Sequence, residues 1–235
     1  MTPLILLPGM MCDARLFASQ TEALSSERPV FVPTLSGSNT MERLATEVLK
    51  NAPERFALGG LSMGGIAAME VLRQAPDRVA GLALLDTNPS AETEEIQARR
   101  GPQMKRARTG QLDSVMRDEM KPNYLSDGEN RAAILELCMN MALELGPDVF
   151  CEQSIALRDR PDQSETLRHF NKPALVLCGR EDKLCPISRH ELMHKLLPRS
   201  ELVIIDGAGH LPTLEKPHET THALRRWLKE IDDER

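Results

Sequence analysis

The chain has 235 residues, of which 41% are hydrophobic, with a formal charge of −6 and a pI near 5.6. This length can bury one substantial core without a second independent domain, and the acidic balance argues against general nucleic-acid binding. No apolar run reaches the length of a membrane span, and five scattered cysteines, an odd number, make no disulfide framework, so a cytoplasmic location is expected.

Read in chain order, the first residues carry no basic stretch of a secretory signal and already form a strand pattern over 3–7. Further strands are predicted over 30–33, 56–61, 79–85, 174–179 and 201–206, with helices near 13–25, 40–51, 63–75, 187–197 and 217–231. Thr40 stands where a helix N-cap is needed, with Arg43 where a Glu would complete a capping box. Strands that alternate with helices pair in parallel through right-handed crossovers, with helices on both faces. The expected fold class is therefore α/β, a mostly parallel sheet of about six strands. Residues 88–171 break this rhythm: they hold helical stretches at 92–100 and 130–145 and no strand pattern.

Gly60-Leu61-Ser62-Met63-Gly64 carries the most chemical information, because Phe56-Ala57-Leu58 leads into it and the small-residue run Gly65-Ile66-Ala67-Ala68 leads out. A strand turning this sharply into a helix holds its serine in a strained conformation with Oγ exposed, and the flanking glycines leave room where a Cβ would collide. Further on, the strand 174–179 is followed by Glu181 and Asp182, and the strand 201–206 by Gly207-Ala208-Gly209-His210-Leu211-Pro212. Ser, then Asp, then His is the chain order of a hydrolase triad on an α/β sheet.

On these motifs, Gly60 to Gly64, Gly179 to Asp182 and Gly207 to Pro212, nearly the whole chain resembles an α/β-hydrolase of the small, capped serine-esterase kind. The resemblance implies Ser62 as nucleophile, His210 as general base and acid, and Asp182 as the group orienting His210, with Glu181 and Asp86 as alternative acids. It implies an oxyanion hole of backbone N–H groups, Met63 after the nucleophile and Met10 after Gly9, with Met11 the alternative to Met10. Many members have His-Gly where this chain has Pro8-Gly9, which changes how that loop is anchored. It also implies a division into a core, 1–87 with 172–235, and a helical cap, 88–171, over the active site.

The cap is rich in methionine, and Met116, Met120 and Met139, with Met11 and Tyr124, are candidates for lining an acyl pocket; methionines at helical spacing are otherwise core filler. Its basic residues Arg99, Arg100, Lys105, Arg106, Arg108, Arg117 and Lys121 outnumber Asp113, Asp118 and Glu119 in the same stretch. Such a run is either a solvated helix face or a docking patch for an anionic substrate or an acidic acyl carrier. A rival signal is His190-Glu191-Leu192-Met193-His194, which matches H-E-x-x-H. The third ligand of the extended zinc motif is missing, since Leu197 and Ser200 stand where Gly and His belong, so a helix with surface histidines is expected instead.

The expected function is hydrolysis of an ester or thioester of a small or medium acyl substrate, with no cofactor and no metal. Carbon–carbon hydrolases, lyases and perhydrolases use the same triad, and a ligand receptor on the same fold is the alternative of another class.

Overall fold

A computed structural model describes residues 1–234. Six strands form one sheet: β1 (Leu4–Leu7), β2 (Val30–Phe31), β3 (Phe56–Leu61), β4 (Val79–Leu85), β5 (Ala174–Gly179) and β6 (Ser200–Ile205). Their order is β2-β1-β3-β4-β5-β6, and every neighbouring pair is parallel, so the sheet is wholly rather than mostly parallel. The central strands are buried on both faces, which explains why they read as continuous apolar runs.

Alternation along the strands divides the core in two. Ile5, Leu7, Leu58, Leu82, Leu84 and Val176 face one side, while Leu4, Leu6, Ala57, Ala83, Leu85, Leu175 and Leu177 face the other. On the first side α3 (Met63–Gln74) lies over β1, β3 and β4, with α2 (Met41–Asn51) against it and α8 (Ile187–Leu196) over β5 and β6. On the second, α1 (Ala18–Leu24) packs on α10 (Pro217–Asp233), which buries Leu224, Trp227, Leu228 and Ile231. Thr40 caps α2 as its sequence suggests, its Oγ1 accepting the Arg43 N–H at 3.2 Å.

A long helical segment is inserted between β4 and β5. It comprises α4 (Glu94–Arg106), a kinked helical stretch around the single turn α5 (Leu112–Ser114), α6 (Arg131–Arg158) and α7 (Ser164–Arg168). Gly110 lies in the left-handed region at φ 83° and breaks the stretch after α4. Gly146, at φ 80° and followed by Pro147, breaks α6 where the expected helix over 130–145 stops. The segment is tied back to its start ahead of α7: Gln163 N–H donates to Pro89 O at 2.8 Å, and its side-chain amide donates to Glu70 Oε2 of α3 at 2.8 Å. No helix among the described residues is long and apolar enough to cross a membrane, and all five cysteines are free and buried.

Candidate active site

Ser62 sits between β3 and α3 with φ 54° and ψ −117°, a left-handed conformation that a side chain adopts only under constraint. The turn is held at both ends, since Ser62 N–H donates to Leu85 O at 2.9 Å and Thr87 Oγ1 donates to Ser62 O at 2.7 Å. A Cβ on Gly60 would stand 2.2 Å from Gly64 O, and one on Gly64 would stand 1.9 Å from Leu7 O. Both flanking glycines are therefore required by contact with backbone.

Asp182 follows β5 and His210 follows β6, and their side chains meet: His210 Nδ1 is 2.8 Å from Asp182 Oδ2. A carboxylate only accepts, so Nδ1 carries the proton and Nε2 keeps its lone pair. The other carboxylate oxygen accepts the N–H groups of Leu184 at 2.8 Å and Cys185 at 3.0 Å. Burial works to raise the Asp182 carboxyl, but the contact with His210 and these amides outweigh it and hold it below the usual carboxylate range. Glu181 is exposed and bonds the Gly207 N–H instead.

The third acid, Asp86, ends β4 at φ 43° and is fully buried, its Oδ1 accepting the Gly179 N–H at 2.9 Å. Burial first, then the neighbouring Asp182 charge, push Asp86 well above the usual carboxylate range. Of the two, Asp182 is the carboxyl whose charged form is favoured.

The loop after β1 runs beside the serine: a Cβ on Gly9 would lie 3.6 Å from Ser62 Cβ. Its two candidate amides are not equivalent. Met11, at φ 56°, donates its N–H to Gln153 Oε1 at 2.8 Å, whereas the Met10 N–H has no acceptor among the described residues. The Met63 N–H opens α3 and so has no acceptor within its helix. The N–H groups of Met10 and Met63 are thus both left without an acceptor of this kind.

Of the pocket candidates, Tyr124 reaches the site: its ring is 5.7 Å from the His210 ring, and its carbonyl accepts the His210 N–H at 2.7 Å. Met11 and Met116 are fully buried in the core cluster on the α3 side, with Met120 and Met139 half-buried against it. The surface cleft lined by Leu72, Pro76, His169 and Phe170 contains none of these residues.

Two expectations about charge and metal are corrected. His190 is wholly buried rather than at the surface, with Nε2 accepting the Thr87 N–H at 3.2 Å and Nδ1 3.4 Å from Pro186 O. Both its ring nitrogens are thereby occupied, and burial pushes its pKa down to about 4. Glu191 and His194 are exposed, and the latter bonds Ser200 Oγ, so H-E-x-x-H assembles no ligand set. The basic stretch is not a uniform outer face either. Arg100 and Lys121 turn inward, while Arg99, Arg106 and Arg117 pair with Glu95, Glu119 and Asp113. The ligating atoms of Asp182, Cys185 and His210 lie within 4.8 Å of one another. However, burial raises the Cys185 thiol far above neutrality, and His210 Nδ1 is already committed to Asp182.

Sequence reasoning missed several supports. Glu215, five residues after His210 on α9 (Pro212–Glu215), accepts the N–H groups of Gly209 at 2.9 Å and Leu211 at 3.1 Å. Gln153 bridges Met11 to Leu35 O, and Thr87 steadies the Ser62 carbonyl. For Glu215 a signal exists, since a carboxylate one short helical turn beyond a loop histidine is placed to cap that loop. Gln153 lies far from the motifs along the chain and carries none.

The family model described as the alpha/beta hydrolase family matches residues 4–223. The chain belongs to the α/β-hydrolase family. Among curated α/β-hydrolase relatives, the pimeloyl-[acyl-carrier protein] methyl ester esterase of Aliivibrio salmonicida is 27% identical over 98% of this chain and 93% of its own length. A thermophilic esterase from Thermogutta terrifontis, solved with malate bound, superposes with a TM-score of 0.90 at 30% identity, covering 98% of this chain and 90% of that one. The enol-lactonase of Burkholderia xenovorans LB400 shares the fold, with a TM-score of 0.85 at 21% identity over 97% of this chain and 92% of that one.

Proposed function

We propose that this α/β-hydrolase cleaves carboxylic esters or thioesters of small or medium acyl groups through an acyl-enzyme on Ser62. The observation that carries the reading is the buried His210–Asp182 contact of 2.8 Å, in a chain whose Ser62 is half-buried and strained at the turn from β3 to α3. Ser62 Oγ attacks the carbonyl carbon as His210 Nε2 takes its proton, and the oxyanion is held by the N–H groups of Met63 and Met10. Collapse expels the alcohol or thiol, which leaves with the proton from His210. Water then attacks the acyl carbon, giving its proton to His210, and the acid departs as Ser62 Oγ recovers a proton. Residues 88–171 act as the cap that keeps bulk water from the intermediate.

A panel of acyl esters and thioesters of varied chain length, run with the wild type and Ser62→Ala, tests this. Turnover by the wild type and a loss of several orders of magnitude in kcat for Ser62→Ala are expected, together with a fluorophosphonate label on the peptide containing Ser62. Labelling without multiple turnover on any ester points instead to a receptor. Equal labelling of Ser62→Ala removes Ser62 from the mechanism.

A second reading, an acyl group delivered on an acidic carrier, draws on the printed activity of the Aliivibrio salmonicida relative and on the exposed Lys105 and Arg108. Reversing both charges should raise KM for a carrier-linked ester, less so as salt rises, and leave a free short-chain ester unaffected. Equal responses from the two substrates would remove the carrier.

A further inference from the structure

Three cationic side chains of the inserted segment are withdrawn from water. Arg100 is 9% exposed, Lys121 3%, and the side chain of Arg160 8%. One carboxylate answers two of them: Glu92 takes Nε and Nη2 of Arg100 and, at 2.8 Å, Nη1 of Arg160. Lys121 Nζ has no hydrogen-bond partner among the described residues; its contact is the face of Tyr124, 4.5 Å from the ring centroid. Within the inserted segment, three buried cations against one anion, Glu92, leave an excess of positive charge; the buried anion Asp182 belongs to the sheet side. A cation–π contact recovers only part of the cost of desolvating an ammonium.

The excess is gathered around the proposed reaction centre. The Tyr124 ring, which carries Lys121, is 5.7 Å from the His210 ring. Arg100 Nη1 stands 3.7 Å from Met10 Sδ, on the loop that passes Ser62. Both charges are felt by that loop and that ring. Burial pushes the Cys12 thiol up to about 12 with Lys121 pulling against it, and it raises the Tyr124 phenol with Arg100 pulling against it.

We infer that Lys121 and Arg100 anchor a carboxylate of the substrate, so that the preferred ester carries a free carboxylate beside the bond to be cleaved. The inference rests on the ester-hydrolase reading above and names the substrate class of that site. Glu92 occupies the Nε edge of Arg100, so the Nη1 side, which points at Met10, is the one turned towards the loop beside Ser62, and Lys121 is a point charge. A guanidinium N–H and an ammonium suit a carboxylate, whose two oxygens can take one donor each.

The test compares three esters with the wild type and Lys121→Met. Monomethyl glutarate carries its carboxylate on the acyl side, carboxymethyl acetate carries it on the alcohol side, and dimethyl glutarate is the neutral control. The wild type should favour one carboxylated ester over the control. In Lys121→Met that preference, as a ratio of kcat/KM values, should fall by about tenfold or more, and the ester that responds tells which side of the bond the anchor reads. Free glutarate should compete with the neutral ester in the wild type, while glutaramide should not, a readout that needs no variant to fold. No preference for either carboxylated ester and no competition by glutarate would overturn the subsite with the hydrolase reading intact. If the wild type cleaves no ester, that reading fails by itself. Calorimetric binding of glutarate by the wild type, lost in Lys121→Met, then decides the subsite, and its absence from the wild type overturns it.

Discussion

Asp86 feels the charge of Asp182, and only Asp182 faces the imidazole. Two adjacent buried carboxyls do not both ionise, and the one offered a histidine and two amides keeps the charge. This makes the two substitutions to Asn unequal. Asp182→Asn puts an amide against Nδ1 and favours the wrong tautomer, so kcat should fall by about three to four orders of magnitude. Asp86→Asn keeps the shape of a group that does not touch the imidazole and whose neutral form is favoured, and activity should stay within about tenfold of the wild type. Steady-state kinetics of both variants on one ester decides the matter; the opposite order would make Asp86 the acid. The sequence left three acids open, because Asp86, Glu181 and Asp182 all follow strands. Only the side chain's direction, set by how the loop after β5 curls onto its own amides, separates them.

At the scale of elements, the elbow depends on how closely α3 approaches β1. An added methyl at Gly64 meets the Leu7 carbonyl at 1.9 Å, and backbone on both sides cannot yield. Gly64→Ala should therefore cost about 3 kcal/mol or more and abolish labelling by a fluorophosphonate, as read by urea denaturation and mass spectrometry. Unchanged stability would mean that the helix can slide away from the strand. The strands were legible because a doubly covered parallel sheet needs apolar side chains on both faces, which leaves uninterrupted runs such as Val79–Leu85. The inserted segment was legible only as helical. Arg100 and Lys121 sit in a stretch whose charges read as a wetted face, and their burial depends on Glu92 and Tyr124 folding back over them. His190 was misplaced for the same reason: its neighbours on α8 describe a stripe, but the partner that buries it, Thr87, comes from the end of β4.

For the molecule as a whole, that histidine makes folding sensitive to acid. His190 is held neutral, its pKa pushed down to about 4, whereas an unfolded chain takes up this proton below about 6.5. The unfolded state then binds more protons, so stability is complete above about 6.5 and declines as pH falls towards 4, by on the order of 3 kcal/mol. Asp182, held low, adds a loss at still lower pH. Asp86, held high, acts in the opposite sense, losing stability as pH rises. His190→Gln, whose carbonyl can accept the Thr87 N–H, should flatten the difference in unfolding free energy between pH 7 and pH 4.5. Identical slopes in the two proteins would exclude the buried histidine as the source.

The hydrogen bond from Gln163 to Pro89 closes the excursion from α4 to α6 at its base, leaving α7 to carry the chain on to β5. Loop closure grows only slowly in cost with length, and a junction of this kind tolerates exchange of everything beyond it. A transplanted segment of different length would still have to supply two acceptors, one for the Met11 amide now served by Gln153 and one for the His210 amide now served by Tyr124. A lineage can thus rewrite what the enzyme recognises while inheriting how it reacts, provided those two bonds are carried across.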